Sequence, residues 1–122
     1  MPGSILIVED DREFAAAMVD ALRIAGVGRA VVVCDGVEAL TWLHTQAQPA
    51  AVLLDLGLPR AHGHEIWRYM REDEDLKRVP TILVTGATEV DAEAFQGVSE
   101  ILRKPVQLDR LIAAIKRVLP PN

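Results

Sequence analysis

Asp55 closes a short apolar run, Ala51-Val52-Leu53-Leu54, and is followed at once by Leu56-Gly57-Leu58-Pro59. Such a run, bounded by a Gly/Pro turn, reads as a buried strand of a parallel sheet, and the carboxylate at its end sits where these sheets open to ligands. Glu9-Asp10-Asp11 closes a second run, Ile5-Leu6-Ile7-Val8. Two strands that both end in acid predict one shared anionic cleft. Carboxylates about 4 Å apart repel by roughly 4 kcal/mol at an effective dielectric of about 20, so such a cluster needs a counter-charge or must hold a proton. A divalent cation supplies that charge. Oxygen ligands without His or Cys favour Mg²⁺, with Mn²⁺ as the alternative, over Zn²⁺. Thr85 ends a third run and Lys104 follows a fourth. Carboxylate, hard cation, hydroxyl and ammonium together make a site for receiving a phosphoryl group. The carboxylate attacks, the cation and ammonium neutralise the phosphoryl oxygens, and the hydroxyl donates to one of them.

These residues need a scaffold that brings strand ends together. Apolar runs at 4–9, 30–34, 50–55, 80–85 and 99–103 alternate with segments of helical period. Leu108, Leu111, Ile112, Ile115, Val118 and Leu119 recur every three or four residues and form one apolar stripe. Phe14, Met18, Leu22 and Ala25 do the same in the first helix, which Gly26 ends. Asp35-Gly36 turns the second strand into a helix carrying Val37, Leu40 and Leu43, and Gly63 precedes one carrying Ile66, Trp67 and Met70. A further short helix is expected over about 88–96. Five strands alternating with five helices predict an α/β fold, an open, doubly wound parallel sheet covered on both faces.

The length of 122 residues fits one domain with one core. Half of the residues are apolar and a quarter are charged, an ordinary globular balance. A formal charge of −5 argues against a broad nucleic-acid footprint, which requires clustered Lys and Arg. Cys34 is the only cysteine, so no intramolecular disulfide can form, and its apolar run marks it as a small buried hydrophobe. Met1-Pro2-Gly3-Ser4 lacks the pattern of a signal peptide, and no apolar stretch is long enough to span a bilayer, which predicts a cytoplasmic protein without a membrane partner. The tail Pro120-Pro121-Asn122 reads as an end or a linker stub.

Over residues 4–119 the chain resembles the receiver domains of two-component response regulators. The resemblance rests on Glu9-Asp10 after the first apolar run, on Asp55-Leu-Gly-Leu-Pro59 with Gly63 eight residues past the aspartate, on Thr85, and on Lys104-Pro105, in that order and spacing. It implies a single receiver domain, 1–122, with strand order 2-1-3-4-5 and a shortened fourth helix, of the flavodoxin-like type seen in stand-alone chemotaxis regulators. Asp55 would be the phosphoacceptor. Asp10 and Asp55 would bind Mg²⁺ directly, Glu9 would act through a water, and the Gly57 carbonyl would complete the metal shell. Thr85 and Lys104 would contact the phosphoryl oxygens, and the Lys104–Pro105 bond would be cis. The implied donor is a histidine kinase or a phosphotransfer protein. The implied output is a protein contact, from a phosphoacceptor that assists its own reaction rather than an enzyme.

The chain departs from that family in three places. Ile101 stands where an aromatic usually rotates inward with the threonine, so a switch through Thr85 and Ile101 has only a change of aliphatic packing to work with. The segment from Thr85 to Lys104 is about three residues short, nearly one helical turn. Gly86 and Ala87 replace larger neighbours of the threonine. A receiver-like binding module with atypical or no phosphorylation-driven switching is therefore the alternative. An aspartate-nucleophile phosphatase is disfavoured, because Gly57 occupies the place of its second aspartate. Asp11 reads as a helix cap, His62 and His64 as exposed loop histidines, His44 as a helix-surface residue, and Trp42 and Trp67 as partly buried.

Overall fold

The computed structural model describes residues 3–45, 48–58, 63–86 and 90–119. Pro59, His62, Ala87 and the tail 120–122 lie outside the described residues. Five strands, β1 (Ile5–Val8), β2 (Ala30–Val33), β3 (Ala51–Leu54), β4 (Thr81–Thr85) and β5 (Glu100–Arg103), form one parallel sheet in the order β2-β1-β3-β4-β5. The three inner strands are buried along their whole length, as the apolar runs of β1 and β3 and the Ile82-Leu83-Val84 centre of β4 require of strands covered on both sides. The outer strands are half-covered, which corrects the reading of Cys34: just past edge strand β2, it is only partly buried.

Successive side chains of a strand point to opposite faces, and this divides the core in two. Leu6, Val8, Val52, Leu54 and Leu83 face one way, where Ala39 and Leu43 of α2 (Gly36–Thr45) and Ile66, Trp67 and Met70 of α3 (Gly63–Glu72) cover them. Ile5, Ile7, Leu53, Ile82 and Val84 face the other way, under Met18 and Leu22 of α1 (Arg12–Ala25) and Leu111, Ala114 and Ile115 of α4 (Leu108–Val118). Each Val, Leu, Ile or Met side chain among them contributes about 1.5–3 kcal/mol on burial. Asp11 caps α1, its side chain accepting from the Phe14 N–H, and Gly26 closes that helix in the left-handed conformation. Trp67 is fully buried rather than partly, whereas Trp42 is half-covered. Among the described residues no helix is long and apolar enough to cross a membrane.

The helix expected over about 88–96 is absent among the described residues, leaving four α-helices rather than five. Asp91 accepts from the backbone N–H groups of Glu93 and Ala94, and the Phe95 N–H reaches the Asp91 carbonyl at 3.2 Å. One turn is thereby started. Gly97 then adopts a positive φ of 103° that other residues rarely take, and the turn cannot propagate. Val90, Ala94 and Val98 only flank the core, while Phe95, 6% exposed, is the buried anchor of this stretch. A single anchor does not make the stripe that stabilises a helix. A short 3-10 turn at Leu76–Arg78, not foreseen from the sequence, is nucleated by Asp73, which accepts from Asp75 and Leu76 N–H at 2.9 Å each.

Candidate functional site

Sheet register brings the chemistry together. Val8 of β1 pairs with Leu54 of β3, so the next residues, Glu9 and Asp55, emerge side by side, and the Asp55 N–H donates to the Val8 carbonyl at 3.1 Å. Thr85 of β4 pairs with Arg103 of β5, and the Lys104 N–H donates to the Thr85 carbonyl at 2.8 Å. Four strand ends thus meet at the carboxyl edge of the sheet.

Carboxylate oxygens of Glu9, Asp10 and Asp55 lie within 4.8 Å of one another. Glu9 (1% exposed), Asp55 (7%) and Thr85 (2%) are buried, whereas Asp10 is open to solvent. Lys104 reaches in from β5, its Nζ 2.8 Å from Glu9 Oε1 and 3.2 Å from Asp55 Oδ2. Asp55 Oδ1 accepts the Gly57 N–H at 3.1 Å, and Glu9 Oε2 accepts the Asp11 N–H at 3.1 Å. Burial pushes the Glu9 carboxyl above its usual range; the Lys104 hydrogen bond and the Asp11 N–H oppose this, and the charge of Asp55 adds to it. Burial alone would lower the Lys104 ammonium, but the bond to Glu9 and the charges of Asp55 and Glu9 outweigh it, so the ammonium sits above its ordinary value. One ammonium against three acids leaves the cluster negative, and its donor set is all hard oxygen, the chemistry that suits a small divalent cation.

The Lys104–Pro105 peptide is cis. Gly63 explains how the loop after Asp55 is held. A Cβ there would lie 2.8 Å from the Asp55 carbonyl oxygen and 2.9 Å from Leu56 Cα, so α3 starts pressed against the backbone of the acid. Ile101 is not part of the cluster: it is 39% exposed on edge strand β5. His64 is not an exposed loop residue but a half-buried α3 residue, edge-on to Phe95 at 5.5 Å between ring centres. His44 is exposed on α2, its Nδ1 3.3 Å from the Tyr69 hydroxyl. Sequence reasoning missed Phe14, whose ring lies 5.3 Å from Lys104 Nζ. The signal was an aromatic in the first turn of the helix that the acid run opens.

A family model for the response regulator receiver domain matches residues 5–116. The chain belongs to that family. It is 31% identical over 122 residues to the polar-differentiation response regulator DivK of Brucella anthropi, covering 98% of both chains. Its fold is similar to that of the bacteriophytochrome response regulator RtBRR, with a TM-score of 0.85 and 30% identity over 97% of this chain and 78% of that one. It is also similar to the receiver domain of the sensor histidine kinase PA1611 from Pseudomonas aeruginosa PAO1, with a TM-score of 0.82 and 28% identity over 96% of this chain and 97% of that one. That receiver domain was solved with a magnesium ion coordinated in its active-site cleft. Response regulator receiver domains are signalling components of two-component systems, and in general are not catalysts.

Proposed function

We propose that this receiver domain, spanning 1–122 with its core at about 4–119, takes a phosphoryl group on Asp55 in the cytoplasm. The donor is a histidine kinase or a phosphotransfer protein presenting phosphohistidine. A carboxylate oxygen of Asp55 attacks phosphorus, the P–O bond forms as the P–N bond breaks, and the imidazole leaves with a proton from solvent. Asp10, Asp55 and the Gly57 carbonyl would hold Mg²⁺, and Glu9 would act through a water. When bound, the ion neutralises charge on the attacking and phosphoryl oxygens. Lys104 pairs with the phosphoryl oxygens and Thr85 donates a hydrogen bond to one. Water later hydrolyses the acyl phosphate and resets the state. While the phosphoryl group is in place, its charge biases the loops after β4 and β5 toward one of two arrangements that a downstream protein distinguishes.

The observation that carries this reading is the convergence of Glu9, Asp10 and Asp55 within 4.8 Å, with Lys104 bonded to two of them. The test is intact mass after incubation with a small phosphodonor and Mg²⁺. Wild type should gain the mass of one phosphoryl group and Asp55→Asn should gain none; no gain in either protein refutes the proposal.

A second reading is a receiver-like binding module in which phosphorylation is uncoupled from output. The exposure of Ile101 and, among the described residues, the turns in place of a helix over 90–98 favour it. Phosphorylation that leaves amide exchange in residues 90–107 unchanged would select it.

A further inference from the structure

Lys104 has a flexible four-carbon stem and a compact point charge, and stays in one place only if several groups hold it. Two of its holders, Glu9 Oε1 and Asp55 Oδ2, are the oxygens that a cation or a phosphoryl group would draw on. The third is different in kind. The Phe14 ring centre is 5.3 Å from Nζ, inside the distance of about 6 Å at which a ring face attracts a cation. Phe14 is itself fixed: its N–H donates to Asp11 Oδ1 at 3.1 Å in the first turn of α1, and its side chain is half-buried against the cluster between α1, α4 and the sheet.

We propose that Phe14 is a positioning residue, whose ring face keeps the Lys104 ammonium over the acid cluster. It is the one of these three contacts that does not compete with the reacting groups. When a cation and a phosphoryl group take up the oxygens of Glu9 and Asp55, the ring still limits where the ammonium can go. This role in the reaction rests on the phosphoacceptor reading of the site, whereas the contact itself does not.

The two are separable by experiment. The chain contains three lysines, Lys77, Lys104 and Lys116, so ¹³Cε labelling of lysine gives three assignable methylene signals. The Lys104 signal should be shifted by the ring current in wild type and in Phe14→Tyr, and should move toward the other two in Phe14→Leu and Phe14→Met. With a small phosphodonor and Mg²⁺, the phosphorylation rate should fall about two- to five-fold in both ringless variants and return in Phe14→Tyr. A general loss of packing would not follow the ring in this way. A Lys104 signal that is the same with and without the ring overturns the contact. Ringless variants that react at the wild-type rate overturn the positioning role. A wild type that takes no phosphoryl group refutes the reading of the site, and with it the part played by Phe14 in the reaction, even if the ring shift is present.

Discussion

The two halves of the sheet's carboxyl edge are built differently. Around β1 and β3 the acids stand on strands that are buried throughout, with Gly63 pressing α3 against the backbone beside Asp55. Around β5 the strand is an edge, Ile101 faces solvent, and the segment before it is a set of turns anchored by Phe95. The acid cluster, with its oxygens within 4.8 Å of one another, sits on the first half. The second half ends in a strand paired on one side only, with alternate residues exposed, which is the property expected of an element that opens locally.

The largest expected effect separates the halves directly. Leu54→Ala removes a fully buried side chain from β3 and should cost about 2–5 kcal/mol in urea unfolding, with amide exchange accelerated across the whole sheet. Phe95→Ala should cost less, about 1–3 kcal/mol, because the turn can lift away rather than leave a cavity, and faster exchange should be confined to residues 90–99. Equal costs with the same exchange pattern would erase the distinction.

Lys104 crosses from one half to the other. Lys104→Met leaves Glu9 and Asp55 buried beside each other without their cation, and should destabilise the metal-free protein by about 1–3 kcal/mol. Glu9→Gln in the Lys104→Met background should recover part of that loss, since it removes one of the two charges. If the double variant is no more stable than Lys104→Met alone, repulsion between the acids is not the cause.

Gly63 and Gly57 sharpen the picture within the first half. Gly63→Ala forces a methyl group to within 2.8 Å of the Asp55 carbonyl oxygen and should cost about 1–2 kcal/mol after the helix preference of alanine is counted. At Gly57 the nearest atom to a new methyl is Asp55 Oδ1 at 3.9 Å, ordinary contact, so Gly57→Ala should change stability by less than about 0.5 kcal/mol. Thermal unfolding of the pair decides it.

The same contrast explains what could be read before the fold was known. Strands β1 and β3 were legible because their apolar runs are unbroken, and once parallel register is set, the acids that follow those runs must meet. The strand order came from the ordered motif, since no period in the sequence says which strands are neighbours. The short, weakly patterned segment expected as a helix over about 88–96 instead forms turns among its described residues, because Phe95 alone is buried and Gly97 takes a positive φ. Phe14 reads from the sequence as part of the α1 stripe, yet its ring also reaches Lys104. A side chain that serves the core and the site at once has no separate signal in a sequence.

The smallest effect tests how β5 is tied to α4. Arg117 Nε and Nη2 donate to Glu100 at 2.9 and 2.6 Å, and these bonds hold the Glu100 carboxyl below its ordinary value of 4.5, with partial burial opposing them. A carboxyl lowered on folding stabilises the native state above its unfolded value and loses that contribution as the pH falls through its folded value. Glu9, raised on folding, acts in the opposite sense: its contribution is present below its unfolded value and disappears as the pH rises through its folded one. Arg117→Met should therefore flatten the loss of stability on acidification below pH 4.5 without altering the part due to Glu9. Because Arg117 lies at the surface, high salt should weaken the pair in wild type and narrow the difference between the two proteins. Urea midpoints measured against pH at low and high salt supply the check, and identical acid limbs at low salt would show that β5 is not held by this pair.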